Sequence, residues 1–153
     1  MPQAMSDLQT VTEGPAVGAT NARSITYCLT EANKALQTWV QNVSRRDIDA
    51  VLDLYAPDAI LVPTLSDDVR EREDSRRRYF EMFLANEGLS CGITVQKGRV
   101  SARLGTVVIG GLYCFTMVRE GRTEIVPARF LFTFEEIDGR WLITGHHSSQ
   151  AVE

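Results

Sequence analysis

Apolar residues return every three or four positions at the start of the chain: Cys28, Leu29, Ala32, Leu36, Trp39, Val40 and Val43. That period is helical, and it predicts a long amphipathic first helix beginning near Ile25. Ser44 followed by Asp47 resembles a capping-box start. Ile48, Val51, Leu52 and Tyr55 then form the inner face of a short second helix that Pro57 ends. AILVP reads as a short strand closed by Pro63. In the charged segment SDDVREREDSRRRYF, the stripe Tyr79, Phe80, Phe83 and Leu84 predicts a third helix ending around Asn86 to Gly88. Its arginines, Arg76, Arg77 and Arg78, read as a solvated helix face.

Beyond Gly88 the period changes to alternation. ITVQKGRV, TVVIGGLYCFTMV, RTEIVPARFLFTF and RWLITGHHSS read as four β segments. Glu120-Gly121 and Asp138-Gly139 separate the later ones, and Asp-Gly is the stronger hairpin signal. Helices first and strands afterwards imply an α+β fold, with N-terminal helices packed on one face of a curved antiparallel sheet. A sheet bent around a helix makes a cone, and its open end is a natural pocket.

The chain has 153 residues, enough for one domain with its own core. A net charge of −4 leaves no basic footprint, which argues against nucleic acid or an anionic membrane as partner. Residues 1–24 carry neither an apolar core nor a basic start, so they read as a disordered leader rather than a secretory signal. Residues 25–153 form the single domain. With no apolar run of about 20 residues, no membrane span is expected, and the protein is placed in the cytoplasm. Cys28, Cys91 and Cys114 are odd in number and lie in apolar segments, so they read as reduced thiols rather than a disulfide framework.

The chemistry concentrates in RWLITGHHSS, which holds both histidines, His146 and His147. Side chains alternate along a strand, so the two point to opposite faces and are badly placed to share an ion. Catalytic zinc usually takes three protein ligands, and no matching cysteine or carboxylate motif accompanies them. If the strand stays regular, Trp141, Ile143, Gly145, His147 and Ser149 share one face. His147 and Ser149 are therefore expected to enter the pocket. The plainer alternative is that both histidines only hydrogen-bond neighbouring strands or a subunit interface.

In ARFLFTF, Phe130, Phe132 and Phe134 share one face, suited to a core or a contact between subunits. Arg129 lies on the other face. Pairing with an acid such as Glu31 or Glu81 is its ordinary fate, but beside a histidine and hydroxyls it would bind a small carboxylate-like anion.

GRWLITGHHSS, preceded by ARFLFTFEEIDG, resembles the C-terminal signature of domains related to the association domain of calcium/calmodulin-dependent protein kinase, in the NTF2-like superfamily. The resemblance covers roughly residues 25 to 150. Together with ILVPTLSDDVRE and RRYFEMFL, the HHSS ending is most similar to the iota-class carbonic anhydrases of bacteria and algae. That resemblance implies reversible hydration of CO2 to bicarbonate, in some members without a metal, and no cofactor. It places the family's pocket threonine on Thr64, its tyrosine on Tyr79, and its C-terminal site on His147, Ser148 and Ser149. Arg129 matches an arginine lining the pocket of the kinase association domains. Tyr113 joins them from its place on a central strand. Where members often carry HHHSS, Gly145 stands at the first histidine, which disfavours a metal.

On this reading His147 is the first candidate to accept the proton of the attacking water, since its unperturbed pKa lies near neutrality, with Tyr79 as the alternative if its pKa were lowered. Thr64, Ser148 and Ser149 orient the water and stabilise the product oxygens. Two other readings compete. One is a non-enzymatic oligomerisation domain that assembles through the Phe130, Phe132 and Phe134 face and binds a small carboxylate at Arg129. The other is a ketosteroid-isomerase-like or dehydratase enzyme, which needs an inward carboxylate among Asp47, Asp53 and Asp58. A homodimer through the sheet fits either class.

Overall fold

In the computed structural model, which describes residues 12–13, 24–64 and 66–152, the Ser24 hydroxyl accepts from the Tyr27 backbone N–H at 3.0 Å. This cap starts helix α1, Ile25–Ser44. Cys28, Ala32, Leu36, Trp39 and Val43 are buried along its inner face, with Leu29 and Val40 packed at the margin. Asp47 alone caps α2, Ile48–Leu52, by accepting from the Ala50 N–H at 3.1 Å. Ser44 instead accepts from the Cys91 N–H and so ties α1 to the sheet.

Pro57 does not end the second helix. α2 stops at Leu52, and Tyr55 already belongs to a strand, β2, Tyr55–Val62. Pro57 falls in the stretch between Tyr55 and Ile60 where β2 slips out of register with its neighbour. There its missing N–H costs no ladder bond. The backbone carbonyls freed by the slip are taken by Arg76, from helix α3 (Glu73–Leu84). Its guanidinium donates to Ala59 O at 2.9 Å, Ala56 O at 3.1 Å and Pro57 O at 3.2 Å. Arg76 is only 2 % exposed, so the arginine run is not uniformly a solvated face. Arg77 and Arg78 do behave as surface residues, pairing with Asp49 and Asp74.

The remaining strands are β3 (Ser90–Ser101), β4 (Thr106–Arg119), β5 (Arg122–Ile137) and β6 (Arg140–Gln150). They form antiparallel neighbours in that order. β2 pairs in parallel with β6, and a two-residue strand β1 (Thr12–Glu13) pairs in parallel with β3, so the sheet is mixed at both edges. Glu120, Gly121, Asp138 and Gly139 all have positive φ, the backbone that tight hairpins require. Apart from Thr12, Glu13 and Ser24, the leader lies outside the described residues. The helices cover one face of the curved sheet. Phe130, Phe132 and Phe134 are buried on that face, in the core, so they cannot form an assembly surface.

One irregularity decides the site. Thr133 pairs with Gly145, but Phe134 pairs with Ile143, leaving Thr144 as an extra residue in β6. Such a bulge reverses the alternation beyond it. His146 therefore pairs with Phe132, and Ser148 with Phe130, on the inner face. His147 pairs with Leu131, and Ser149 with Arg129, on the outer face. The expected inward placement of His147 and Ser149 is thus inverted.

Candidate functional site

A cavity of about 370 Å³ opens between α1, α3 and the inner face of the sheet. Trp39, Leu61, Phe80, Phe83, Phe115 and Met117 make most of its wall, while Thr64, Arg70, Tyr79, Tyr113, His146 and Ser148 bring polar atoms. Among the described residues no aspartate or glutamate lines it. Thr64 reaches the cavity because β2 runs alongside β6, with Leu61 opposite His146 and Val62 opposite His147. The next turn of chain then carries Thr64 over Ser148. Arg70 is held near by a bridge of its backbone to Leu61, and its guanidinium lies 5.8 Å from the Tyr79 ring.

The polar groups form one continuous line. The Trp39 indole N–H donates to Tyr55 Oη at 3.0 Å, and Tyr55 Oη lies 2.8 Å from His146 Nδ1. On the other side of the ring, His146 Nε2 is 3.4 Å from Tyr113 Oη. Tyr113 donates to Ser148 Oγ, and Thr64 Oγ1 lies 2.9 Å from the same atom. His146 also stacks on Phe132, ring centroids 3.9 Å apart.

Burial sets the charge states. It lowers the His146 pKa to about 3, with a smaller contribution from His147, so this imidazole is neutral at ordinary pH. Burial raises Tyr79 to about 12, partly offset by Arg70, and raises Tyr113 and Tyr55 as well. Each of these hydroxyls keeps its proton near neutrality. The cavity therefore holds donors for a developing negative charge and, among the described residues, no side chain poised to take up a proton at pH 7.

Of the sequence-predicted residues, Thr64, Tyr79, Tyr113 and Ser148 meet in the cavity. His147, Ser149 and Arg129 do not. They share the outer face, where Arg129 Nε donates to Ser149 Oγ at 3.1 Å in a shallow hollow floored by Gly110. The cause is the Thr144 bulge for the first two, and for Arg129 its register opposite Ser149. Among the described residues no three His, Cys, Asp or Glu side chains converge to hold a metal. Trp39, Arg70 and His146 line the cavity and Tyr55 joins its polar line, places that the sequence reading did not single out for them. Only His146 carried a signal, and that signal pointed the wrong way.

The family profile for the calcium/calmodulin dependent protein kinase II association domain matches residues 29–152. The chain belongs to this family. A candidate association domain from Xanthomonas campestris superposes with a TM-score of 0.75 at 33% identity, covering 90% of this chain and 99% of that one. A candidate NTF2-like dehydratase from Streptomyces avermitilis gives a TM-score of 0.75 at 12% identity, over 85% of this chain and 100% of that one. A ketosteroid isomerase-like protein from Erwinia carotovora atroseptica gives 0.68 at 16%, over 82% and 97%. These distant likenesses establish the NTF2-like fold of this association-domain protein, not its chemistry. No curated protein matches the chain. No helix among the described residues is long and apolar enough to cross a membrane.

Proposed function

We propose that this association-domain protein hydrates CO2 reversibly to bicarbonate in the inner cavity, as its likeness to the iota-class carbonic anhydrases implies. The observation that carries the reading is the convergence of Thr64, Tyr113 and Ser148 hydroxyls in an apolar cavity that no carboxylate among the described residues lines. CO2 is apolar and rests against Leu61, Phe80 and Phe83. At about 370 Å³, the cavity has room for CO2 together with several waters.

As water attacks the carbon, negative charge develops on the CO2 oxygens. Thr64 or Ser148, together with Tyr79, donates hydrogen bonds to that charge, and Arg70 contributes its field from the rim. Tyr79 serves as a donor because burial keeps it protonated. His146 holds Tyr55 and Tyr113 in place and takes no proton. The water's proton passes to solvent or buffer at the mouth. General-base help is worth roughly 10²–10⁴-fold, so a site without it is slow beside a metal enzyme. Exchange of oxygen label from CO2 into water tests the reaction directly. A rate equal to that of buffer alone, with folded protein present, would remove the proposal.

The isomerase or dehydratase reading has less support. Asp47 caps α2, Asp53 pairs with Arg140 at the surface, and Asp58 is exposed, so none supplies the inward base. We further propose that two copies pair through the outer sheet face. Val95, Leu112 and Leu131 are exposed there beside Arg129, on an open sheet surface that the described elements do not cover. The association-domain name of the family supports assembly. A small carboxylate bound by Arg129 would also belong to this outer face rather than to the cavity.

A further inference from the structure

We propose that Trp39 and Tyr55 are positioning residues that fix the hydrogen-bond polarity of the cavity, so that its inner end donates and selects a ligand presenting an oxygen acceptor. The argument is a count of hydrogens. Trp39, Tyr55, neutral His146, Tyr113, Ser148 and Thr64 each carry one polar side-chain hydrogen, and five hydrogen-bonded links join these six groups in a line. Each link uses one hydrogen. One is left over.

Where it sits follows from the closed end of the line. Trp39 can only donate. Of the two partners of Tyr55, only His146 can accept, so the Tyr55 hydrogen goes to Nδ1 and the imidazole proton resides on Nε2. From Nε2 the line runs outward through Tyr113 to Ser148. Reversing it would strand a hydrogen on Tyr55, and breaking it at Tyr113 would strand one there. Both tyrosines are almost fully buried, and a donor without an acceptor is disfavoured in such a place.

The spare hydrogen therefore falls on Ser148 or Thr64, whichever of the two accepts from the other. Both line the cavity. A ligand there must offer a lone pair: a carbonyl, CO2, or an oxyanion such as bicarbonate. A ligand that presents only N–H groups leaves that hydrogen without a partner. The preference for bicarbonate rests on the reading above, whereas the polarity rests on the geometry and the neutral imidazole.

The wild-type protein provides the first test, through the ring-nitrogen chemical shifts of His146 in solution. A single Nε2–H tautomer is expected, and an Nδ1–H tautomer would overturn the proposal without any variant. Tyr55→Phe should then leave Nδ1 without its donor, move that nitrogen's resonance towards that of a free lone pair, and weaken bicarbonate binding roughly fivefold, the equivalent of one neutral hydrogen bond. Trp39→Phe, which keeps an aromatic ring against Phe132, should move both readouts the same way by less. A folded Tyr55→Phe protein with an unchanged Nδ1 resonance and wild-type bicarbonate affinity would also overturn it. If the tautomers behave as expected and no CO2 is hydrated, the polarity stands and the carbonic anhydrase reading falls.

Discussion

His146 and His147 are neighbours in the chain and lie on opposite faces of the sheet, His146 stacked on Phe132 in the core and His147 exposed beside Leu131. One extra residue, Thr144, decides which of them meets the cavity. The consequence for mutagenesis is direct. His147→Ala should leave CO2 hydration within about threefold of wild type, because the ring reaches no cavity atom. Ser148→Ala should lose roughly 10²-fold, as for removal of a single oxyanion donor. Steady-state hydration rates of the two purified variants check this, and a reversed order would return the site to the outer histidine.

The buried imidazole makes stability depend on pH. The unfolded chain binds a proton on this residue below about 6.5, while the folded protein refuses it until about 3. Between those values the unfolded state holds the extra proton, so stability falls as pH falls. From the cost of about 1.4 kcal/mol per pH unit, lowering the pH from 6.5 to 5 should remove about 2 kcal/mol. Urea unfolding at the two pH values measures it, with His146→Gln as the reference in which this part of the loss disappears.

Arg76 closes the irregular part of β2 by donating to three of its backbone carbonyls. Arg76→Met keeps the length of the side chain and leaves those carbonyls unsatisfied in a buried place. A loss of about 3 kcal/mol is expected, read as a lower urea midpoint at unchanged slope. Arg77→Met, at an exposed ion pair with Asp49, should cost at most about 1 kcal/mol.

Assembly can be separated from catalysis. Leu131→Glu places a charge in the middle of the exposed outer face, beneath none of the cavity residues. Sedimentation should show the dimer giving way to monomer, with the hydration rate per chain retained within a few-fold. A variant that stays dimeric would move the contact to another surface.

Much of the fold was legible because local periodicity and core packing agree. The α1 stripe from Cys28 to Val43 and the alternation of β4 and β5 bury the faces that their periods mark. Asp138-Gly139 has the positive φ values that its hairpin signal announced. Thr64, Tyr79, Tyr113 and Ser148 line the cavity, three of them named from motif resemblance and Tyr113 from its place on a central strand. What failed was parity. A bulge adds one residue without any sequence mark, since Thr144 is an ordinary strand residue, and every side chain beyond it changes face. Arg76 failed for a related reason: its partners are carbonyls exposed by a register slip, which composition cannot show. Trp39 and Tyr55 look like core aromatics by period, and only the distances to His146 reveal them as parts of a polar line.

The most direct measurement is stopped-flow CO2 hydration by the protein after dialysis against a chelator, from pH 6 to pH 9, alongside Ser148→Ala. Expected is a rate proportional to enzyme, strongly reduced in the variant, and without a histidine-like step near neutrality, since burial keeps His146 uncharged throughout that range. A chelated protein that hydrates CO2 no faster than buffer, or one in which Ser148→Ala matches wild type, would contradict the cavity as the site of this chemistry.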